Sequence, residues 1–157
     1  MTWLPVVGWE GLYEVSECGE VRSLSRNFID KNGVSKKYSG RVLRQYPNAK
    51  GHLKVWLIRD NYRSHPYVHS LVLEAFVGPR PEGQQALHAD DIPSNNFVSN
   101  LRWGTPSENS YDAVRNGNHF HANKTHCPKG HEYTSENIYT PPGKINRRCR
   151  KCTRKYG

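Results

Sequence analysis

Between residues 86 and 114 the chain reads "ALHADDIPSNNFVSNLRWGTPSENSYDAV". His88 stands there among aspartates and asparagines, so one imidazole is surrounded by oxygen donors and amides. An imidazole titrates near neutrality and can take a proton from water, while an amide or carboxylate oxygen is a hard ligand for a divalent ion. What such groups do depends on how the backbone presents them. "QALHA" reads as a short strand, "DDIPSNN" as a turn in which Asn95 and Asn96 are turn formers, and "FVSNLRW" as a second strand or extended return. Thr105, Pro106, Ser107 and Glu108 then form a capping box with proline at the first helical position, and Gly117 closes the helix. A hairpin followed at once by a helix brings His88 opposite the helix's first turn, where Asn109 projects. That arrangement suits one divalent metal ion and one general base.

A second set of ligand-type residues lies near the C-terminus. Of the cysteines Cys18, Cys127, Cys149 and Cys152, the last three join His131 in "CPKGH" and "CRKC", with seventeen residues between His131 and Cys149. Two short knuckles in a polar segment form the ligand pattern of a tetrahedral structural zinc. Disulfides are the competing reading, but three cysteines leave one unpaired, and nothing at the N-terminus reads as a secretory signal. Cys18, alone in "SECGEV", reads as a small packed side chain.

The elements that must position these groups are short. "WLPVVGWEGLYEVSECGEVRSL" alternates apolar and polar residues between Gly8, Gly11 and Gly19, which predicts a curled antiparallel unit with hairpin turns. Further strands are expected at Val42 to Leu43, Leu53 to Ile58 and Tyr67 to Val68, and residues 27–40 read as an exposed loop carrying Lys31, Lys36 and Lys37. "VHSLVLEAFVG" changes to helical spacing, with Leu71, Val72, Ala75 and Phe76 on one face and Gly78 and Pro79 ending it. His69 on that helix reads as packed within the fold, and His119, His121 and His126 as linker residues. Trp3, Trp9, Trp56 and Trp103 are expected in small cores.

Charge separates the tail from the rest. The formal net charge is +9, and residues 1–112 hold 13 Lys and Arg against 12 Asp and Glu, whereas residues 113–157 hold 10 against 2. A basic tail suits a polyanion, because each neutralised phosphate releases counterions; a merely solubilising tail is the alternative. Arg147, Arg148, Arg150, Lys151, Arg154 and Lys155 are the candidate DNA contacts. No apolar run approaches a membrane span and no heptad suggests a dimer, so the expectation is a monomer in the cytoplasm with no membrane partner and no small-molecule substrate.

"HADDIPSNNFVSNLRWGTPSEN" resembles the core of HNH nucleases, the ββα-metal fold, in the homing-endonuclease branch whose third motif residue is asparagine. Upstream, "VVGWEGLYEVSECGEVRSL" resembles the DNA-associated module that commonly precedes such cores, and the cysteine-rich end is similar to zinc-binding tails of phage-encoded HNH proteins. The resemblance implies an α+β chain: a small antiparallel β module at 1–65, a ββα-metal core at 66–118 and a basic zinc knuckle or ribbon at 119–157. It implies a metal-dependent endonuclease acting on double-stranded DNA, phage-encoded and working in a bacterial host. His88 would be the general base, Asn109 a ligand of catalytic magnesium or manganese, and Asn100 the residue that pins the hairpin and orients His88. One position departs from the pattern. Where the family places an aspartate or asparagine directly before the base, this chain has Leu87, which offers no ligand atom. Asp90, Asp91 or Asp112 then supplies the second oxygen, or water does. Leu87 also favours the alternative of a non-catalytic DNA-binding protein on a degenerate HNH scaffold.

Overall fold

Alternation in the first residues produces a sheet because one side of each strand has somewhere apolar to go. Strands β1 (Trp3–Pro5), β2 (Tyr13–Ser16) and β3 (Val21–Ser23) pair antiparallel in that order, with Leu4 opposite Val15 and Val15 opposite Val21. Tyr13, Val15, Val21 and Ser23 face inward and are buried. The computed structural model describes residues 1–144 and 146–153, and the chain divides into two compact units, Met1–Thr105 and Pro106–Gly157.

In the first unit three further hairpins follow. They are β4 (Arg26–Ile29) with β5 (Ser35–Tyr38), β6 (Tyr46–Pro47) with β7 (Leu53–Lys54), and β8 (Leu57–Arg59) with β9 (Tyr62–Ser64). The β4–β5 hairpin replaces the loop expected at 27–40. Its residues are almost all solvent-facing, so no alternation of burial marks it in the sequence. The single strand expected over Leu53 to Ile58 is broken at Val55 and Trp56. The Val55 N–H leaves the ladder to donate to the Pro66 carbonyl at 3.2 Å, and Trp56 turns outward to stack on His65 at 4.1 Å. Tyr13 serves as a substitute strand for β8, donating its hydroxyl proton to the Ile58 carbonyl (2.9 Å) and accepting the Ile58 N–H (3.0 Å).

Helix α1 (Val68–Phe76) starts directly after the Lys54–Tyr67 bridge, so Val68 is helical rather than extended. Val68, Leu71, Val72 and Leu73 give it a buried face, and the N–H groups of Val77 and Gly78 close it on the Leu73 carbonyl, Gly78 at a φ of +122° that glycine tolerates. It packs on β1, β2, β7, β10 (Gln85–His88) and β11 (Leu101–Gly104). β10 and β11 pair antiparallel, His88 opposite Leu101, and the connection between them ends in a single 3-10 turn, Val98–Asn100. The core gathers Val6, Trp9, Tyr13, Val15, Val21, Val55, Leu57, the α1 face and Leu101. Each such side chain contributes about 1.5–3 kcal/mol by leaving water.

The second unit is built differently. Helix α2 (Pro106–Arg115) opens with Pro106 and ends at Gly117, whose φ is +73°. Beyond it lie β12 (Ile138–Tyr139), its antiparallel partner β13 (Arg148–Cys149), and one helical turn, α3 (Arg150–Thr153). Among its described residues the buried apolar side chains are Cys127 and Cys149, too few for a hydrophobic core. The fold is therefore α+β. Among the described residues no helix is long and apolar enough to cross a membrane.

Candidate active site and metal centre

His88 closes β10 and is buried, 6% exposed. Its Nε2 lies 3.3 Å from the Oδ1 of Asn96, itself buried. An amide oxygen only accepts, so Nε2 carries the ring proton and the lone pair of neutral His88 is on Nδ1. Burial pulls the imidazole below its ordinary pKa, against the Asn96 hydrogen bond and the charges of Asp90 and Asp91, which favour the protonated ring. Asn96 is the partner of His88 that the sequence did not mark, since its type and place suited a plain turn. The one signal was Gly19, whose absent Cβ leaves room for it. A Cβ built on Gly19 would lie 2.6 Å from the Asn96 Cβ.

Asn100 sits at the other end of the same loop. Its Oδ1 accepts the Asp90 N–H at 3.3 Å, and its Nδ2 donates to the Asn95 carbonyl (2.9 Å) and to Asp90 Oδ1 (3.0 Å). The side chain thus joins both limbs of the 89–96 loop. Asp90 also accepts the Ile92 N–H at 2.9 Å and the Asn95 amide at 2.6 Å. Burial raises its pKa, but these bonds from the Ile92 N–H, Asn95 and Asn100 outweigh it and hold the carboxyl below its usual range. Asp90 is therefore spent on the loop rather than free to ligate an ion. Asp91 adopts a φ of +56°, and Asp112, buried on α2, pairs with Arg115 at 3.0 Å. Leu87 is 1% exposed, and a Cβ on Gly104 would meet its Cδ1 at 2.5 Å. Asn109 lies exposed in the first turn of α2, within the second unit.

Two more histidines meet His88. The Asn48 side chain accepts the N–H groups of Lys50 and His52, closing the β6–β7 turn and fixing His52 at its end, and His69 occupies the second position of α1. The three ring centroids are 5.2 Å (His52–His69), 5.3 Å (His69–His88) and 5.5 Å (His52–His88) apart. One ring nitrogen of each lies within 4.8 Å of the others. Burial, with the neighbouring imidazoles of His88 and His52, drives His69 down to about 4, and burial with His88 and Lys50 lowers His52.

In the second unit Cys127, His131, Cys149 and Cys152 converge. His131 Nδ1 is 3.5 Å from Cys127 Sγ, 3.3 Å from Cys152 Sγ and 3.7 Å from Cys149 Sγ, and the Cys127 and Cys152 sulfurs are 3.7 Å apart. A tetrahedral ion with thiolate bonds of about 2.3 Å places its sulfurs about 3.8 Å apart, so the cluster fits a single metal ion. The first knuckle turns on Gly130 at φ +79°, its N–H donating to the Cys127 carbonyl, while the His131 N–H donates to Cys127 Sγ at 3.3 Å. Burial raises the Cys149 thiol, but the Cys152 N–H and the Asn137, Cys152 and His131 side chains hold it down to about 6.

The basic residues of the tail divide. Arg147 Nη2 donates to the carbonyls of His121 (2.9 Å), Ala122 (2.6 Å) and Lys124 (2.7 Å), and its guanidinium covers the Tyr133 ring at 4.8 Å. Arg148, Arg150 and Lys151 are exposed, with Arg150 Nε donating to the Ile138 carbonyl at 3.0 Å. Arg154 and Lys155 lie outside the described residues.

Residues 66–111 match the HNH endonuclease family model and residues 1–57 the NUMOD4 motif, a pairing that supports an HNH homing-endonuclease family. It is 30% identical over 117 residues to DNA endonuclease I-HmuI of Bacillus phage SP01, across 74% of this chain and 60% of that protein. A solved structure described as DNA binding and cleavage by the HNH homing endonuclease I-HmuI superposes with a TM-score of 0.60, covering 75% of this chain and 60% of the other. The chain thus spans about 60% of the length of the relative it matches.

Proposed function

We propose that the chain is a metal-dependent endonuclease that hydrolyses a phosphodiester bond of double-stranded DNA, with His88 as general base. The observation that carries this reading is His88 itself, held by Asn96 in a loop braced by Asn100, with a neutral Nδ1 lone pair inside the segment matching the HNH endonuclease model. Nδ1 takes the proton from an attacking water, and Asn100 keeps the loop from drifting. Asn109, with its hard amide oxygen, is the residue we assign to a catalytic magnesium or manganese ion. Bound there, the ion supplies charge stabilisation at the phosphate and the departing oxygen. Leu87 adds no ligand, and magnesium tolerates this because it retains much of its hydration. Zinc is the ion assigned to the Cys127, His131, Cys149 and Cys152 site, since three thiolates and an imidazole are a zinc donor set.

Modules at 1–65, 66–118 and 119–157 divide the labour in this reading: DNA association, cleavage, and a zinc-braced basic tail. Arg148, Arg150, Lys151, Arg154 and Lys155 meet phosphates, whereas Arg147 braces the tail from within. Phage origin, action in the host cytoplasm and a monomeric state complete it. A second reading, a DNA-binding protein that no longer cuts, is favoured only by Leu87. Supercoiled plasmid incubated with the protein and magnesium or manganese decides between them. Nicked or linear product abolished by EDTA is expected, and plasmid bound but uncut with either ion would establish the non-catalytic reading.

A further inference from the structure

The geometry points to a second cation site in the first unit, formed by His52, His69 and His88, that takes an imidazole-seeking transition ion and, by occupying His88, blocks the base. The blocking part rests on the nuclease reading above; the binding part does not. Three imidazoles around a tetrahedral ion, each bonded at about 2.0–2.1 Å, have ring centroids about 5.2 Å apart. The three rings here form a triangle with sides of 5.2, 5.3 and 5.5 Å. Nitrogens no more than 4.8 Å apart close onto a shared ion with ring shifts of about 1 Å or less.

Two unsatisfied atoms support a ligand rather than simple packing. The Nδ1 atoms of His52 and His69 are buried without a hydrogen-bond partner, and His69 is 8% exposed. Buried polar atoms are ordinarily paired, and a metal ion would pair both. His88 already has the outer partner that a ligating histidine needs, since its Nε2–H faces Asn96 Oδ1 and its Nδ1 is left as the donor. All three rings are neutral at neutral pH, so no proton has to leave first. His52 is only half-buried, and three ligands leave a fourth position for water.

Neutral imidazole donors suit nickel, cobalt, copper and zinc, whereas magnesium prefers oxygen. The site is therefore distinct in chemistry from the one assigned to Asn109. A histidine bound to an ion through one nitrogen carries a proton on the other, so it has no lone pair left for water. Occupancy and base catalysis by His88 exclude each other.

The test uses the full chain with its tail loaded with zinc, in excess magnesium, titrated with cobalt(II) and followed by calorimetry and visible absorption. One further cobalt per chain is expected, with a d–d band but no thiolate charge-transfer band. Affinity should fall at least tenfold in His52→Ala and in His69→Gln, each checked for folding by thermal melting. Absence of a further equivalent in the parent protein, or unchanged affinity in a folded variant, overturns the site. If neither variant folds, the parent's stoichiometry and spectrum decide. Nickel(II) should inhibit magnesium-dependent cleavage in the parent and lose that effect in His52→Ala, each rate taken relative to the same protein without nickel. Inhibition undiminished in the folded variant overturns the blocking step. A parent that binds cobalt but never cuts DNA would sink the nuclease reading and leave the site standing.

Discussion

A base that must accept a proton from water is useful only while neutral, and burial favours the neutral ring at His88, the base of the proposed reading. Because its pKa is lowered, the neutral form persists to a more acid pH than for an ordinary histidine at about 6.5. The acid limb of single-turnover cleavage should therefore have its midpoint below pH 6.5; a midpoint above 6.5 would count against the assignment. His88→Ala should lower cleavage about a hundredfold or more with DNA affinity nearly intact, measured by rate and by binding in calcium. His69 supplies a stability signature with the same sign. Neutral in the fold down to about 4 and protonated near 6.5 when unfolded, it contributes stability that is complete above pH 6.5 and lost as pH falls toward 4. The amount is about 3 kcal/mol at most, and His69→Gln should remove that part of the acid sensitivity of α1, read by hydrogen exchange. The placement of His88 on the hairpin and of Asn100 across its loop was legible because residue type and spacing coincide in one local segment. The contact of Asn96 with His88 was not, because an asparagine in a turn looks the same whether it is solvated or bonded to a buried imidazole. His52 was invisible for another reason: its partners are 17 and 36 positions away, and they meet through the Lys54–Tyr67 bridge and the packing of α1 on β10.

At the scale of elements, the β2–β3 turn and the 89–96 loop depend on each other through one missing methyl group. Gly19 at φ +84° could not carry a Cβ without strain, and that Cβ would displace Asn96. Gly19→Ala should cost about 1–3 kcal/mol and reduce cleavage by loosening Asn96 from His88. Melting and cleavage rate check it together, and a folded variant with parental activity would show that Asn96 does not position the base. Leu87 has a similar lesson. Substituting aspartate would supply the oxygen that this chain lacks beside His88, but at a position 1% exposed, where an unpaired carboxylate costs several kcal/mol. Leu87→Asp should therefore unfold the hairpin rather than tighten metal binding, as loss of β10–β11 amide protection would reveal. Helix α1 and the β10–β11 hairpin were readable from apolar spacing and turn residues, since both bury one face. The β4–β5 hairpin, exposed on both sides, offered no such contrast.

Across the whole molecule, the two units rest on different forces. The first has a hydrophobic core; the second has its Cys and His cluster in place of one. Cys149→Ser should lose stoichiometric zinc and unfold residues 127–152, measured by metal analysis and proteolysis, while the first unit keeps its melting behaviour. Removing residues 119–157 takes away most of the excess positive charge, so the slope of DNA affinity against salt should flatten by several units.

This division has an optical counterpart. All four tryptophans, Trp3, Trp9, Trp56 and Trp103, fall within Met1–Thr105. Intrinsic tryptophan emission therefore follows the first unit alone, and thiolate absorption of a cobalt-substituted tail follows the second. The protein comes with two independent spectroscopic labels, so a single denaturation experiment read at both wavelengths can establish whether the halves unfold together or in turn. Adding a strong chelator should bleach the tail's colour while leaving the emission spectrum where it was.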